Sequence, residues 1–350
     1  MAGKWRKTGR DHVKDTESIM KIGKLDSRLL EEIVFRHLDQ KRPEVMTRPG
    51  IGEDCAVVDF GDYECVLSTD PITGAVSDIG KLAVHISCND IASNGVEPLG
   101  LLMACMLPEE TTEAEIDEIM RQAGQAAREL GVEIIGGHTE ITKAVNTPVI
   151  VSTAMGRAVK GTSQKAEEMR PGDFILMTKQ AGLEGTGIIA CDHEARLRGI
   201  LTEKQISEAR AMLELVSVVK EGVIAGKIGT AGMHDITEGG VLGAVWEMCE
   251  ISGTGAEVWG DAVPVAEVTE KICNHFGIDP LRLISSGSMM IIAHSENKEK
   301  VMEEIWRAGI PIACIGKITE ASKGRLLIEK NKSFPIEAPT SDELYKVVFR

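Results

Sequence analysis

Glu53 and Asp54 stand just before the apolar run "CAVVDF", and Asp70 closes the next one, "YECVLST". The runs meet at "DFGDYE", a turn signal, so they are expected to form a hairpin with its outer ends side by side. That pairing brings Glu53, Asp54 and Asp70 together, where like charges repel. A fourth acid, Asp90, follows Asn89 in "HISCNDIASNG", among Ile86, Ile91 and Ala92. The pattern sets Asn89 and Asp90 near an apolar face, and acids are rarely buried unless paired or metal-bound. Clustered carboxylates suit Mg²⁺, a hard cation that takes oxygen ligands and usually also binds substrate phosphates. A blander reading stands beside this one: acids flank strands because they favour water.

Phosphates would also need donors. "KIGKL" places Gly23 and Lys24 together, and "DIGKLAV" places Gly80 and Lys81 at a helix start, where backbone amides favour anions. "IIGGHTE" supplies Gly136 and Gly137 for close backbone approach. "GLEGTG", Gly182 to Gly187, reads either as a phosphate loop or as an ordinary helix-initiating turn. None of these is a Walker loop or a Rossmann fingerprint. The triplet Cys191-Asp192-His193 is a weak pointer to metal.

Regular elements must position these groups. Leu29, Leu30, Ile33, Val34 and Leu38 recur at helical spacing, predicting a helix from about Asp26, its cap, to Leu38. "KRPEVMTRPGIG" then interrupts regular structure twice with proline. After the hairpin come a helix over about 81–94, ended by Gly95, and the strand "EPLGLLMACML". The long amphipathic helix "PEETTEAEIDEIMRQAGQAAREL" and the strands "EIIGGHTEI" and "TPVIVSTAMGRA" complete a ββαβαββ order. "GRAVKGTSQKAEEMRPGD" is polar and broken by Gly and Pro, and is taken as the domain boundary.

A second set follows. It comprises strand "DFILMTK", one helix over "TEKQISEARAMLELVSVVKEGV", a turn "GMHDITEGG" and helix "VLGAVWEMCEIS". Strand "AEVWG", helix "VAEVTEKICNHF", strand "SMMIIAH", a helix over 297–308 and strands "IACIGKIT" and "GRLLIE" complete it. The order predicts an α+β fold of layered sheets rather than a doubly wound one. The expected units are a flexible basic tail over 1–20, domains over 21–157 and 171–337, and a tail over 338–350.

Composition bounds the function. The 350 residues exceed one ordinary core. A net charge of −15 argues against general nucleic-acid binding, though a local cationic pocket is compatible with it. The eight cysteines form no C-x-x-C pair and several sit in apolar runs, as reduced thiols of a cytoplasmic protein would. No apolar run reaches membrane-spanning length, and the polar N-terminal stretch lacks a signal-peptide core.

"GEDCAVV … STDPITGAVSDIGKLAVHISCNDIASNGVEPLGLLMACMLP … LGVEIIGGHTEI" followed by "GMHDITEGGVLGAVWEMCEISGTG" resembles the aminoimidazole ribonucleotide synthase-like (PurM-like) superfamily. The likeness runs over roughly 21–329. "SDIGKLAV…ND", "HDxTxGG" and "GKL" look closest to its hydrogenase-maturation branch, HypE. The resemblance implies two domains, with the N-terminal domains of two subunits pairing into a shared β-barrel. It implies ATP with Mg²⁺ bound between the domains, with Asp54, Asp70 and Asp90 as metal-binding acids. Lys24, Lys81, Asn89, Gly136, Gly137, Thr139, Gly239 and Gly240 are implied on the nucleotide, and His234, Asp235 and Glu238 on the reacting side of the cleft. The implied chemistry is activation of an amide, carboxylate or phosphate oxygen by ATP.

Departures narrow what carries over. Glu53-Asp54 replaces the usual acidic pair, His138 stands where the glycine motif has an acid, and Glu238 stands where HypE has arginine. No cysteine follows Cys314, so the HypE reaction on its own tail cysteine is not expected. A HypE-like enzyme acting on a small molecule or a carbamoylated thiol of another protein is the leading reading, with a maturation partner. A non-catalytic nucleotide-binding scaffold and a thiamine-monophosphate kinase-like phosphotransferase stay open.

Overall fold

The computed structural model describes residues 23–25, 27–73, 78–164, 166–330, 332–339 and 341–348. The tail over 1–20 and the cap at Asp26 lie outside the described residues. The first sheet has six strands: β1 (Val45–Thr47), β2 (Ala56–Asp59), β3 (Tyr63–Ile72), β4 (Pro98–Leu107), β5 (Glu133–Ile141) and β6 (Val149–Val159). Their spatial order is β1-β2-β3-β6-β4-β5, and β5 pairs parallel with β4 while the other pairs are antiparallel. The predicted hairpin is present, with Ala56 opposite Leu67 and Asp59 opposite Glu64. The helices Ile79–Ser93 and Glu113–Leu130 pack on this sheet and on each other. The second is closed at both ends by local chemistry, a Thr112–Glu115 capping box and Gly131 in the left-handed region.

The second sheet has seven strands: β7 (Phe174–Thr178), β8 (Gly232–Asp235), β9 (Gly255–Trp259), β10 (Met289–Ala293), β11 (Ile312–Thr319), β12 (Arg325–Glu329) and β13 (Lys332–Pro335). The order is β13-β12-β9-β11-β7-β10-β8. Alternate residues of β10 enter opposite cores. Met290 and Ile292 face the helix Gly240–Ser252, while Met289 and Ile291 face the helices Val219–Ile228 and Lys298–Arg307. This two-sided burial explains the unbroken apolar run "SMMIIA".

Several elements differ from expectation. The proline-flanked "VMT" forms β1, because β2 offers it an edge. "GMHD" is not a turn: it pairs with β10, Asp235 opposite Met289 and His234 opposite Met290. The single helix expected over 202–223 is broken into Glu203–Ala211, a tight turn Met212–Leu215 and Val219–Ile228. "GLEGTG" opens a helix, Leu183–Asp192, as its helix-initiating reading has it.

The two halves share a core. Leu82, Val84 and Ile91 of the first belong to one buried cluster with Leu183, Ile189 and Leu213 of the second. Close helix contact makes this possible. A Cβ at Gly222 would lie 2.5 Å from the Ala92 carbonyl oxygen, and one at Gly226 would lie 2.5 Å from the Gly95 Cα. Only glycine admits so tight an approach. The helix Ile79–Ser93 is thereby pressed against the end of β8, where His234 and Asp235 sit.

Candidate active site

A cleft of about 580 Å³ opens between the halves. The first half contributes Asp54, Asp70 and Asp90, and the second contributes Glu184, Thr237, Glu238 and Ser286. Asp54 comes from the entry to β2, Asp70 from β3 and Asp90 from the buried face of the helix Ile79–Ser93. The Ser68 hydroxyl donates to the Asp90 carboxylate, and the Cys55 thiol donates to the Asp90 carbonyl at 3.2 Å. Burial, and then Asp235, Asp70 and Asp54, push the Asp90 carboxyl well above the usual range.

Asp235 joins this group, and sequence reading placed it on the reacting side instead. Its amide donates to Ser93 Oγ at 3.1 Å, which ties the end of β8 to the acid-bearing helix. Its side chain is fully buried, yet neither carboxylate oxygen has a hydrogen-bond partner. Asp54, His234 and Asp235 each offer a ligand atom, all within 4.8 Å of one another. Burial and Asp54 push the Asp235 carboxyl up to about 7, against the opposing pull of His234. A buried carboxylate without donors is costly unless a cation or proton meets it. The oxygen-rich set Asp54, Asp70, Asp90 and Asp235 has the hard-donor chemistry that Mg²⁺ takes.

His234 lies among acids from both halves of the chain. Its Nδ1 lies 3.5 Å from Asp54 and 2.5 Å from the Asp235 carbonyl, and its Nε2 lies 3.3 Å from Glu247. Burial works against protonation, but Asp54, Glu247 and Asp235 outweigh it and raise the imidazole to about 10. Lys24 reaches the same cleft: its amide donates to Glu238 at 3.3 Å and its ammonium lies 3.9 Å from Glu247. The Lys24 side chain is half exposed, and Glu247, Asp54 and Glu238 hold its ammonium protonated. Glu238 also accepts from the Tyr345 hydroxyl. A smaller chamber of about 310 Å³ adjoins the cleft, sharing Lys24, Asp54 and Glu238 as its wall and adding Glu247.

Other expected ligand groups are placed differently. Lys81 is not on the cleft wall; its ammonium pairs with Glu214 at 2.7 Å. Asn89 is fully buried and spends both ends of its amide on the backbone of Val216 and Val218, at 2.8 Å each. It joins the halves, and one N–H of its amide is committed to that contact. The Gly239 amide donates to Asp342 at 2.7 Å and the Gly240 amide to the Thr237 carbonyl at 3.1 Å, so neither faces a phosphate. In "GLEGTG", the Gly182 amide donates to Ser285 at 2.6 Å and the Gly185 amide to the Ile284 carbonyl at 3.0 Å, which favours the helix-initiating reading.

Gly136, Gly137 and Thr139 lie on β5, three positions beyond β3 in the sheet, and do not line the cleft of their own chain. Gly137 has a local reason for its identity: a Cβ there would sit 1.9 Å from the Met103 carbonyl oxygen of the neighbouring strand. His138 pairs with Glu140 at 3.3 Å on the same exposed strand. Glu184, Glu247 and Tyr345 were not singled out. Single acids inside helical or glycine-rich stretches carry no spacing signal, and Tyr345 lies in the segment read as a tail.

The two-sheet fold with its acid-lined interdomain cleft defines the class. The N-terminal domain of AIR synthase related proteins matches residues 52–158 and their C-terminal domain matches 170–329, and the chain belongs to this family. Within it, the chain is similar to hydrogenase-maturation proteins. A putative hydrogenase expression/formation protein of Methanocaldococcus jannaschii is 25% identical over 340 residues, 93% of this chain and 97% of that one. The carbamoyl dehydratase HypE of Bradyrhizobium diazoefficiens is 30% identical over 252 residues, 70% of this chain and 71% of that one. Among solved structures, a HypE–HypF complex superposes with a TM-score of 0.72 at 24% identity, covering 89% of this chain and 99% of that one. HypE in complex with ATP gives 0.70 at 23% identity, covering 92% and 97%.

Proposed function

We propose that this chain is an ATP-dependent, Mg²⁺-requiring enzyme of HypE-like type. It phosphorylates an oxygen of an acceptor and so turns that oxygen into a leaving group or product phosphate. The observation that carries this reading is the convergence of Asp54, Asp70, Asp90 and the unpartnered Asp235 beside Lys24. Mg²⁺ held by these acids would neutralise charge on the transferring phosphoryl group and help align it. Lys24, kept cationic by Glu247, Asp54 and Glu238, adds a mobile positive charge at the mouth of the cleft. His234 fixes Asp54 and Glu247 from behind, so the acids present oxygens in set directions. Positioning and electrostatics supply most of the catalysis in phosphoryl transfer.

The working form is a homodimer built through the first sheet. β5 ends that sheet, and its neighbourhood exposes Leu99, Leu102, Ile135 and Ile141. An apolar sheet edge calls for cover. A partner's β5 would also bring a second copy of Gly136, Gly137 and Thr139 toward a cleft that its own copy does not reach. The relatives named for hydrogenase maturation, and the HypE–HypF complex, support a maturation protein as a further partner. Eight free cysteines, and no helix among the described residues long and apolar enough to cross a membrane, fit work in the cytoplasm. Thermal unfolding with Mg²⁺ and ATP together, compared with each alone, tests the reading. A stabilisation that needs both, followed by ADP formation, is expected; no shift with any nucleotide would refute it.

A further inference from the structure

Five glutamates are buried among the described residues; Glu247 belongs to the His234 cluster, and Glu343, whose Oε2 is also open, pairs with Lys346 off the cleft wall. Glu64 accepts from the amides of Gly161 at 3.1 Å and Ser163 at 2.9 Å, one bond on each oxygen. Glu221 accepts from Thr178 at 3.2 Å and Lys179 at 2.6 Å. Those two are structural, because their bonds tie strands and loops together. Glu184 is different. It is 4% exposed, it lines the cleft, and its Oε2 has no hydrogen-bond partner. It sits in the first turn of the helix Leu183–Asp192, on the wall that also carries Thr237, Ile284 and Ser286. The metal-type acids Asp54, Asp70 and Asp90 line the same cleft from the other half of the chain.

We propose that Glu184 is the general base that takes the proton of the acceptor as the phosphoryl group reaches it. This rests on the phosphoryl-transfer reading above. The acceptor's hydroxyl or enolised amide oxygen forms a bond to the terminal phosphorus of the nucleoside triphosphate. The bond from that phosphorus to the bridging oxygen breaks, and its electron pair leaves with the nucleoside diphosphate. The acceptor's proton passes to Glu184 Oε2. A buried carboxylate with one vacant acceptor position can do this; a carboxylate anchored like Glu64 cannot.

The environment tunes the group for the task. Burial raises the Glu184 carboxyl to about 7, and Asp342 and Glu238 add to that rise against an opposing pull from Ser286. Burial and then Glu238 push the neighbouring Tyr345 hydroxyl up, with Glu184 a lesser contributor. A base with its pKa near neutrality combines a usable ionised fraction with enough basicity to accept the proton.

The test uses the full chain with Mg²⁺ and ATP, and water as the acceptor. Wild-type protein is expected to form ADP with a rate that falls as pH drops below about 7. Glu184→Gln should keep the Mg²⁺-dependent thermal shift with ATP but lose about 100-fold or more in ADP formation, and lose the acid limb. Formate added to Glu184→Ala should restore part of the rate. Equal ADP formation by wild type and Glu184→Gln overturns the assignment. So does a nucleotide-bound wild type that forms no ADP, or a Glu184→Ala rate that formate leaves unmoved. A wild type that shows no nucleotide-dependent shift at all refutes the underlying function instead.

Discussion

Asn89 reads the backbone of the opposite half of the chain. Its Nδ2 donates to the Val216 carbonyl and its Oδ1 accepts from the Val218 amide, each at 2.8 Å, within a fully buried contact. One residue further along the same helix is Asp90, so the clamp and the cleft acid share one rigid element. The alignment of the two walls of the cleft therefore depends on a residue that touches no ligand.

Asn89→Leu should cost about 1–3 kcal/mol of stability, because the Val218 amide is left buried without an acceptor. Urea denaturation measures this, and the Mg²⁺·ATP-dependent stabilisation should weaken in parallel. Lys81→Ala should leave that stabilisation nearly unchanged, since Lys81 pairs with Glu214 away from the cleft wall. A large loss of nucleotide binding in Lys81→Ala would return Lys81 to the site.

Asp235→Asn removes an ionisable group whose oxygens have no donors. Without metal, the variant should be at least as stable as the wild type. With Mg²⁺ and ATP at about one hundred times the dissociation constant, the wild type should gain about 2.7 kcal/mol and the variant little of it. Asp90→Asn should behave in the same direction. Retention of the full metal-dependent gain in both variants would remove these acids from the metal site.

His234 predicts a pH dependence of stability in the presence of a chelator. Its imidazole titrates near 6.5 when unfolded and about 10 when folded. Between those values the native state holds the extra proton, so unfolding free energy falls as pH rises through the window. The contribution is complete below about 6.5 and lost above about 10. His234→Gln should flatten the melting-temperature profile from pH 7 to 10. An unchanged slope would mean that Asp54 and Glu247 do not hold the ring protonated.

The apolar rim around β5 predicts self-association. Light scattering should give a dimer for the wild type. Ile135→Glu, which places a charge on that 48%-exposed residue, should shift it toward monomer. A stable monomeric wild type would exclude the paired-sheet arrangement.

Much of this molecule is local in origin. The alternation in β2 and β3, the helical spacing of Glu113–Leu130 with its cap and terminal glycine, and the polar boundary between the halves are all properties of short windows. The sequence alone therefore determined most of the elements of the first half, the α+β class and the hairpin that sets Asp54 beside Asp70. It also pointed to Asp90, because an acid among apolar neighbours conflicts with local hydrophobic patterning. Tertiary structure decided the rest. "GMHD" becomes a strand only because β10 pairs with it, and that pairing carries Asp235 to the acids of the other half. Asn89 and Gly239 have polar groups taken by residues distant in sequence, and the Gly240 amide is taken within its own turn by Thr237. Glu184 gains an open oxygen for the converse reason: the contacts around it leave one acceptor position unmet. Whether a polar atom is satisfied depends on every neighbour that folding brings to it, and no local window contains them.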